Sequence, residues 1–182
     1  KSYEKSLVNN VHVKNITIIA ENEEKKNNIL VGGIIAIASG GTKTQNTSIT
    51  NMQVIISHQA EVKIGGIIGT SQYSSIINCF VQNISVVTKD NIKSFIGGIV
   101  GYGSDNRDVI KNTYAVGSIE TDNGYTGGIA GSYLGDLKSN YSWINIHAEE
   151  DRIGGIVGSV ANDWTARERA LKSNLAIGDI VQ

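Results

Sequence analysis

Apolar residues along this chain fall in short runs of Ile and Val, separated by Gly, Asn, Ser and Asp. Such runs read as strands bounded by turns. Helical periodicity is weak, and β-branched residues next to paired glycines oppose a helix. The runs also recur. Val31-Gly32-Gly33-Ile34-Ile35-Ala36, Ile64-Gly65-Gly66-Ile67-Ile68-Gly69, Ile96-Gly97-Gly98-Ile99-Val100-Gly101, Thr126-Gly127-Gly128-Ile129-Ala130-Gly131 and Ile153-Gly154-Gly155-Ile156-Val157-Gly158 share one core. Their first glycines step by 33, 32, 30 and 27 residues.

A second landmark follows each core. Asn51, Asn78, Asn112, Asn140 and Asn174 lie 12 to 19 residues past the second glycine and are aligned here as equivalent positions. An earlier partial copy precedes the first core, because Val13-Lys14-Asn15-Ile16-Thr17-Ile18 resembles Val81-Gln82-Asn83-Ile84-Ser85-Val86. A period near 30 residues made of short strands predicts an all-β fold: a parallel β-helix, or β-solenoid, of five to six coils with two or three strands per coil. Propeller blades are longer than this, and the Leu-x-x-Leu-x-Leu pattern of leucine-rich repeats is absent. The whole chain, 1–182, reads as one solenoid domain.

In a solenoid, equivalent residues stack about 4.8 Å apart on neighbouring coils. Stacked Ile and Val then build an interior ladder. The glycines either take positive φ at a corner or allow close backbone approach. The asparagines suit left-handed turns and can hydrogen-bond from coil to coil. The last repeat departs from this scheme by inserting residues 161–172. There Asn162 or Asp163 can cap a short helix containing Ala166, Ala170 and Leu171. Trp164 and Arg167 on that insertion are candidate partner contacts.

Composition supports the same architecture. There are 21 glycines, ten of them in the five pairs, and no proline. Proline would remove a ladder donor from a strand, so its absence fits. With 16 Lys+Arg against 17 Asp+Glu, a net charge of -1 gives no electrostatic case for nucleic acid or an anionic membrane. No run reaches the roughly 18 to 20 apolar residues of a membrane span. The single cysteine, Cys79, excludes an intramolecular disulfide framework and reads as a small buried residue. The start at Lys1-Ser2-Tyr3 reads as a piece of a longer protein.

Candidate chemistry is sparse. His12, His58 and His147 form no His-Glu-x-x-His pattern. His58 and His147 each follow a landmark asparagine by seven residues, which makes them equivalent surface positions three coils apart, too far for shared metal ligation. Asp105 and Asp108 share a loop, and Asp136 lies in the comparable loop of the next coil. Carboxylate pairs can hydrolyse glycosides, but here they read as solvated turns, as do Glu149, Glu150 and Asp151. Gly101-Tyr102-Gly103 lacks the third glycine of a dinucleotide fingerprint, and no lysine follows the paired glycines as a phosphate loop requires. Tyr73, Tyr102, Tyr114, Tyr125, Tyr133 and Tyr141 are scattered over loops and strand starts, where they can line a glycan or peptide surface.

The cores at 96–101 and 153–158, with Asn112-Thr113-Tyr114-Ala115-Val116-Gly117 between them, resemble the GLUG repeat of bacterial surface proteins. Over about residues 31–182, including Trp164-Thr165-Ala166-Arg167-Glu168-Arg169-Ala170, the chain is similar to the non-catalytic N-terminal region of streptococcal immunoglobulin A-cleaving zinc metalloendopeptidases. The resemblance implies an extracellular location at the bacterial cell surface or wall. It implies a monomeric module ahead of a separate zinc-bearing catalytic domain, with no catalytic residue and no cofactor in this segment. The implied partner is a protein substrate or host protein, immunoglobulin A among them. An adhesin or glycan-binding β-helix and a passive spacer are the other two readings.

Overall fold

The computed structural model describes residues 5–22, 27–90, 93–149, 152–160 and 170–181. They form a parallel β-solenoid, all-β as the repeat predicts. Each coil contributes four strands, more than the two or three expected, because the paired glycines split what reads as one apolar run into two strands.

Four sheets run the length of the solenoid, every strand pairing in parallel with its counterparts on adjacent coils. The first face holds short strands: Leu7–Asn9, Lys43–Gln45, Ser75–Ile77, Val109–Lys111, Asp136–Lys138 and Leu171–Lys172. The second holds the longest: His12–Asn22, Ser48–His58, Phe80–Lys89, Tyr114–Thr121 and Tyr141–Ala148, ending in Leu175–Ile177 and Ile180–Val181. The third comprises Ile29–Gly32, Glu61–Gly65, Lys93–Gly97, Gly124–Gly127 and Arg152–Gly154. The fourth comprises Ile35–Ser39, Ile68–Gln72, Val100–Gly103, Ala130–Tyr133 and Val157–Val160.

The register stacks the aliphatic residues as expected. Val54, Val86, Ile119 and Ile146 form one inward column of the second face, and Val31, Ile64, Ile96, Thr126 and Ile153 one of the third. Ile49, Ile64, Ile67, Ile76, Ile96, Ile99, Ile110 and Ile129 are fully buried. Each such side chain stabilises the fold by about 1.5–3 kcal/mol. Cys79 is buried among them and accepts a hydrogen bond from Thr47 Oγ1 at 3.2 Å.

The paired glycines make the turn between the third and fourth faces, and this turn points inward. A Cβ on Gly98 would lie 2.5 Å from the Ala115 Cβ and 2.9 Å from the Ile144 Cδ1, both on the second face. It would also lie 2.4 Å from the Gly128 carbonyl oxygen of the next coil. The two strands flanking the turn approach backbone to backbone. A Cβ on Gly97 would sit 2.1 Å from the Val100 carbonyl oxygen. On Gly101 it would sit 2.7 Å from the Ile64 nitrogen of the preceding coil. None of the ten paired glycines has positive φ, so close approach, and not a left-handed corner, is what they provide. The first core carries Ala36 where the later ones carry glycine.

The asparagines correct the alignment. The five landmark residues fall in three columns, and only Asn78 and Asn112 hold the left-handed corner. That corner column is Asn10, Asn46, Asn78, Asn112, Ser139 and Ser173, all at φ of 52–56° between the first and second faces. Asn112 donates to Asn78, and Asn78 to Asn46, at 3.3 Å each. Asn51 belongs to another column, with Asn15 and Asn83, at a bulge within the second face. These three have φ near 60° and are joined by 2.9 Å side-chain hydrogen bonds. Asn140 and Asn174 lie one residue past the corner. Ser139 and Ser173 take the left-handed position, so Asn140 turns inward, where its Oδ1 accepts from the Thr113 nitrogen and hydroxyl. The Asn174 Oδ1 in turn accepts from the Asn140 backbone and side chain, each at 3.0 Å.

The same shift separates the histidines. His58 pairs with Asn22, whereas His147 pairs with Glu120, three columns away, so they are not equivalent. Of the insertion at 161–172, residues 161–169 with Trp164 and Arg167 lie outside the described residues, while Leu171, read as part of its helix, stands in the strand Leu171–Lys172 paired with Asp136–Lys138.

Candidate functional site

The inward turn leaves a cleft on the outside of the solenoid, between the outer sides of the third and fourth faces. Two columns of side chains line its mouth. The residue two before each first glycine gives Leu30, Lys63, Phe95, Tyr125 and Arg152. The residue four after each second glycine gives Ile37, Thr70, Tyr102, Ser132 and Ser159. These columns face each other because the glycines let the backbones behind them touch.

At the coil of Phe95 and Tyr102 the cleft is filled. The two rings meet edge to face with centroids 5.0 Å apart. Phe95 is buried, and Tyr125 stacks on it at 5.1 Å with 9° between the ring planes. Such pairs add to the burial of their area. One coil on, Ser132 replaces the ring of Tyr102, and then Ser159 does. The change from large to small opens a groove of about 300 Å³, lined by Lys93, Tyr102, Tyr125, Ser132, Arg152 and Ser159 among others.

The groove is cationic. The Lys93 ammonium lies 4.7 Å from the Tyr125 ring centre and 4.9 Å from that of Phe95. The Arg152 guanidinium lies 5.0 Å from the Tyr125 centre and donates to the Tyr125 hydroxyl at 2.9 Å. Ring faces attract cations through their quadrupole, so the aromatic residues hold both charges in place. Lys63, 4.9 Å from the Tyr102 centre, is paired with Glu61 at 2.7 Å. Among the described residues neither Lys93 nor Arg152 has a carboxylate partner, and none that lines the groove is Asp or Glu.

Of the tyrosines read as surface candidates, the fold brings only Tyr102 and Tyr125 together here. Tyr114 stacks on Phe80 on the second face, Tyr73 lies under the Arg107 guanidinium at 4.0 Å, and Tyr133 is buried. Lys63, Phe95, Lys93 and Arg152 were not singled out from the sequence. The signal that finds three of them is the position two before each first glycine, which carries Leu, Lys, Phe, Tyr and Arg in successive repeats.

The carboxylates differ from the expected solvated turns. Asp105 does sit in such a turn, clasped by Arg107 through two side-chain hydrogen bonds of 2.8 and 2.6 Å. Asp108 is fully buried, and Asp136 is nearly so. The Asp108 Oδ1 accepts from the Ser71 hydroxyl at 3.0 Å and the Ser74 nitrogen at 2.7 Å, both on the preceding coil. Burial pushes the Asp108 carboxyl up to about 6, against those hydrogen bonds. Asp136 accepts from Lys138 at 2.8 Å and from the Ala170 nitrogen of the following coil at 3.0 Å. Both carboxylates stitch coils together. The groove beside them, lined by Lys5, Lys43, Tyr73, Ser74 and Arg107, includes neither.

His12 shares a 2.7 Å hydrogen bond with Ser48. Among the described residues no three His, Cys, Asp or Glu side chains stand together as a metal site. Comparison of the chain with protein-family models, with curated proteins and with solved structures finds no match.

Proposed function

We propose that this chain is a non-catalytic recognition module of a bacterial surface protein, and that the outer cleft is where it meets its partner. The observation that carries this reading is the groove. Its aromatic residues are ordered by the solenoid register, and it presents two cations with no carboxylate partner among the described residues, on a chain whose net charge is -1. Repeat solenoids use extended surfaces of this kind to bind. Aromatic and Arg side chains are the ones that dominate binding energy at interfaces.

Within this proposal the repeat resemblance supplies the setting: an extracellular module that positions a protein substrate, immunoglobulin A, for a zinc metalloendopeptidase domain elsewhere in the parent protein. The groove also supports the adhesin or glycan-binding reading, because it combines rings with Ser132 and Ser159. The deciding experiment measures binding of the 182-residue chain to immobilised immunoglobulin A, together with cleavage by the parent protein with and without this module. Saturable binding and slower cleavage on deletion are expected. No binding, with cleavage unchanged, overturns the proposal.

A further inference from the structure

We infer that the groove bounded by Tyr102, Tyr125 and Arg152 takes a carboxylate-bearing sugar, so that the module's partner is recognised through an acidic glycan. This rests on the reading of the cleft as the binding face and names the chemistry it selects.

The charge is the first argument. Arg152 commits one donor to the Tyr125 hydroxyl and keeps the rest of its fork in the groove. A guanidinium fork matches a carboxylate with two parallel hydrogen bonds. Lys93 flanks the same ring, 4.7 Å from its centre. Among the described residues that line the groove none is acidic, so a bound anion meets attraction from both cations there.

Shape and polarity supply the second argument. Tyr102 forms one end, Tyr125 a side, and the small Ser132 and Ser159 leave the space between. About 300 Å³ is at the lower end of the range for small-ligand sites. A ring wall with hydroxyls around it suits a sugar, which offers C–H groups to an aromatic ring and O–H groups to serines.

The third argument separates a glycan from an acidic peptide. Extended peptides are commonly held by an unpaired strand edge. Here the strands Lys93–Gly97, Gly124–Gly127, Val100–Gly103 and Ala130–Tyr133 are each paired on both sides. The edges of these two sheets lie one coil on, at Arg152–Gly154 and Val157–Val160, so around Tyr102 and Tyr125 recognition falls to side chains.

The test is titration of the 182-residue chain with 3′-sialyllactose and tri-galacturonate. Lactose serves as the neutral counterpart and hexaglutamate as the acidic peptide. Acidic sugars are expected to bind at least about tenfold more tightly than lactose and hexaglutamate, the discrimination one charge-assisted pair supplies. Arg152→Gln and Lys93→Gln should each weaken acidic-sugar binding by about tenfold with the thermal midpoint unchanged. Tyr102→Ser should lose it. Equal affinity for lactose, equal affinity for hexaglutamate, or no binding of either acidic sugar overturns the inference. If immunoglobulin binding survives while the sugars fail, this inference falls and the recognition reading stands.

Discussion

The ring of Tyr133 lies against Gly103 on the preceding coil: a Cβ on Gly103 would sit 2.3 Å from Tyr133 Cδ2. Glycine on one coil therefore makes room for the largest fully buried side chain of the next. The tyrosine hydroxyl has no hydrogen-bond partner among the described residues, and burial beside Asp108 and Asp136 drives its pKa well up, so it stays neutral. Gly103→Ala is expected to destabilise by about 1–3 kcal/mol, the range for overpacking a close-packed core. Tyr133→Phe should be neutral or stabilising by about 1 kcal/mol, since it removes an unsatisfied hydroxyl. Urea denaturation of the two variants checks both signs.

Asp108 makes stability depend on pH. Its carboxyl titrates near 6 in the fold against an ordinary value of 3.8, because burial disfavours the charge. Between those values the folded state binds more protons than the unfolded one, so stability falls as pH rises from about 4 to about 6 and then levels off. The difference is at most about 3 kcal/mol, at 1.36 kcal/mol per pKa unit. Asp108→Asn keeps an oxygen for Ser71 and Ser74 and carries no charge. Subtracting its urea midpoints from those of the wild type between pH 4 and 7 should isolate this slope; parallel profiles would contradict it.

The inward turn predicts a gradient along the solenoid. On Gly98 a methyl group meets the Gly128 carbonyl oxygen at 2.4 Å and side chains of the second face. On Gly155, among the described residues, it meets only the Ala176 Cβ, at 2.6 Å. Gly98→Ala is expected to cost about 3 kcal/mol or prevent folding, and Gly155→Ala about 1 kcal/mol or less. Thermal midpoints of the two variants compare them directly, and equal losses would mean that the turn does not point into the core.

Asn51 joins two roles, a left-handed backbone and a rung between Asn15 and Asn83. Asn51→Ala loses both and should cost about 1–2 kcal/mol. Asn51→Gly keeps the backbone and should recover part of that loss. Chemical denaturation of the pair separates the rung from the turn.

The repeat was legible because glycine at a close approach cannot be replaced without collision, so Gly97, Gly98 and their equivalents recur as letters. The asparagine columns were less legible. Serine also occupies the left-handed corner at Ser139 and Ser173, so the letter Asn marks three different columns. The likeness of the segment around Asn15 to that around Asn83 did identify the bulge column, and extending it to Ile49-Thr50-Asn51-Met52 would have placed Asn51 correctly. The burial of Asp108 and Asp136 was hidden because polar turn residues face in or out by coil geometry, which composition does not reveal. The groove was hidden because its residues differ in type from repeat to repeat; only their offset from the glycines is constant.

The central claim is that the outer cleft recognises the partner, and exposed aromatics elsewhere do not. Trp143 on the second face, 54% exposed, is the control. The direct measurement is the affinity of the wild type, Tyr102→Ser and Trp143→Ser for immobilised immunoglobulin A, each variant first shown to keep the wild-type circular dichroism spectrum. Tyr102→Ser should bind at least about tenfold more weakly while Trp143→Ser binds as the wild type does, the contrast expected between a residue that anchors an interface and one outside it. Undiminished binding by Tyr102→Ser, or loss confined to Trp143→Ser, would contradict the account.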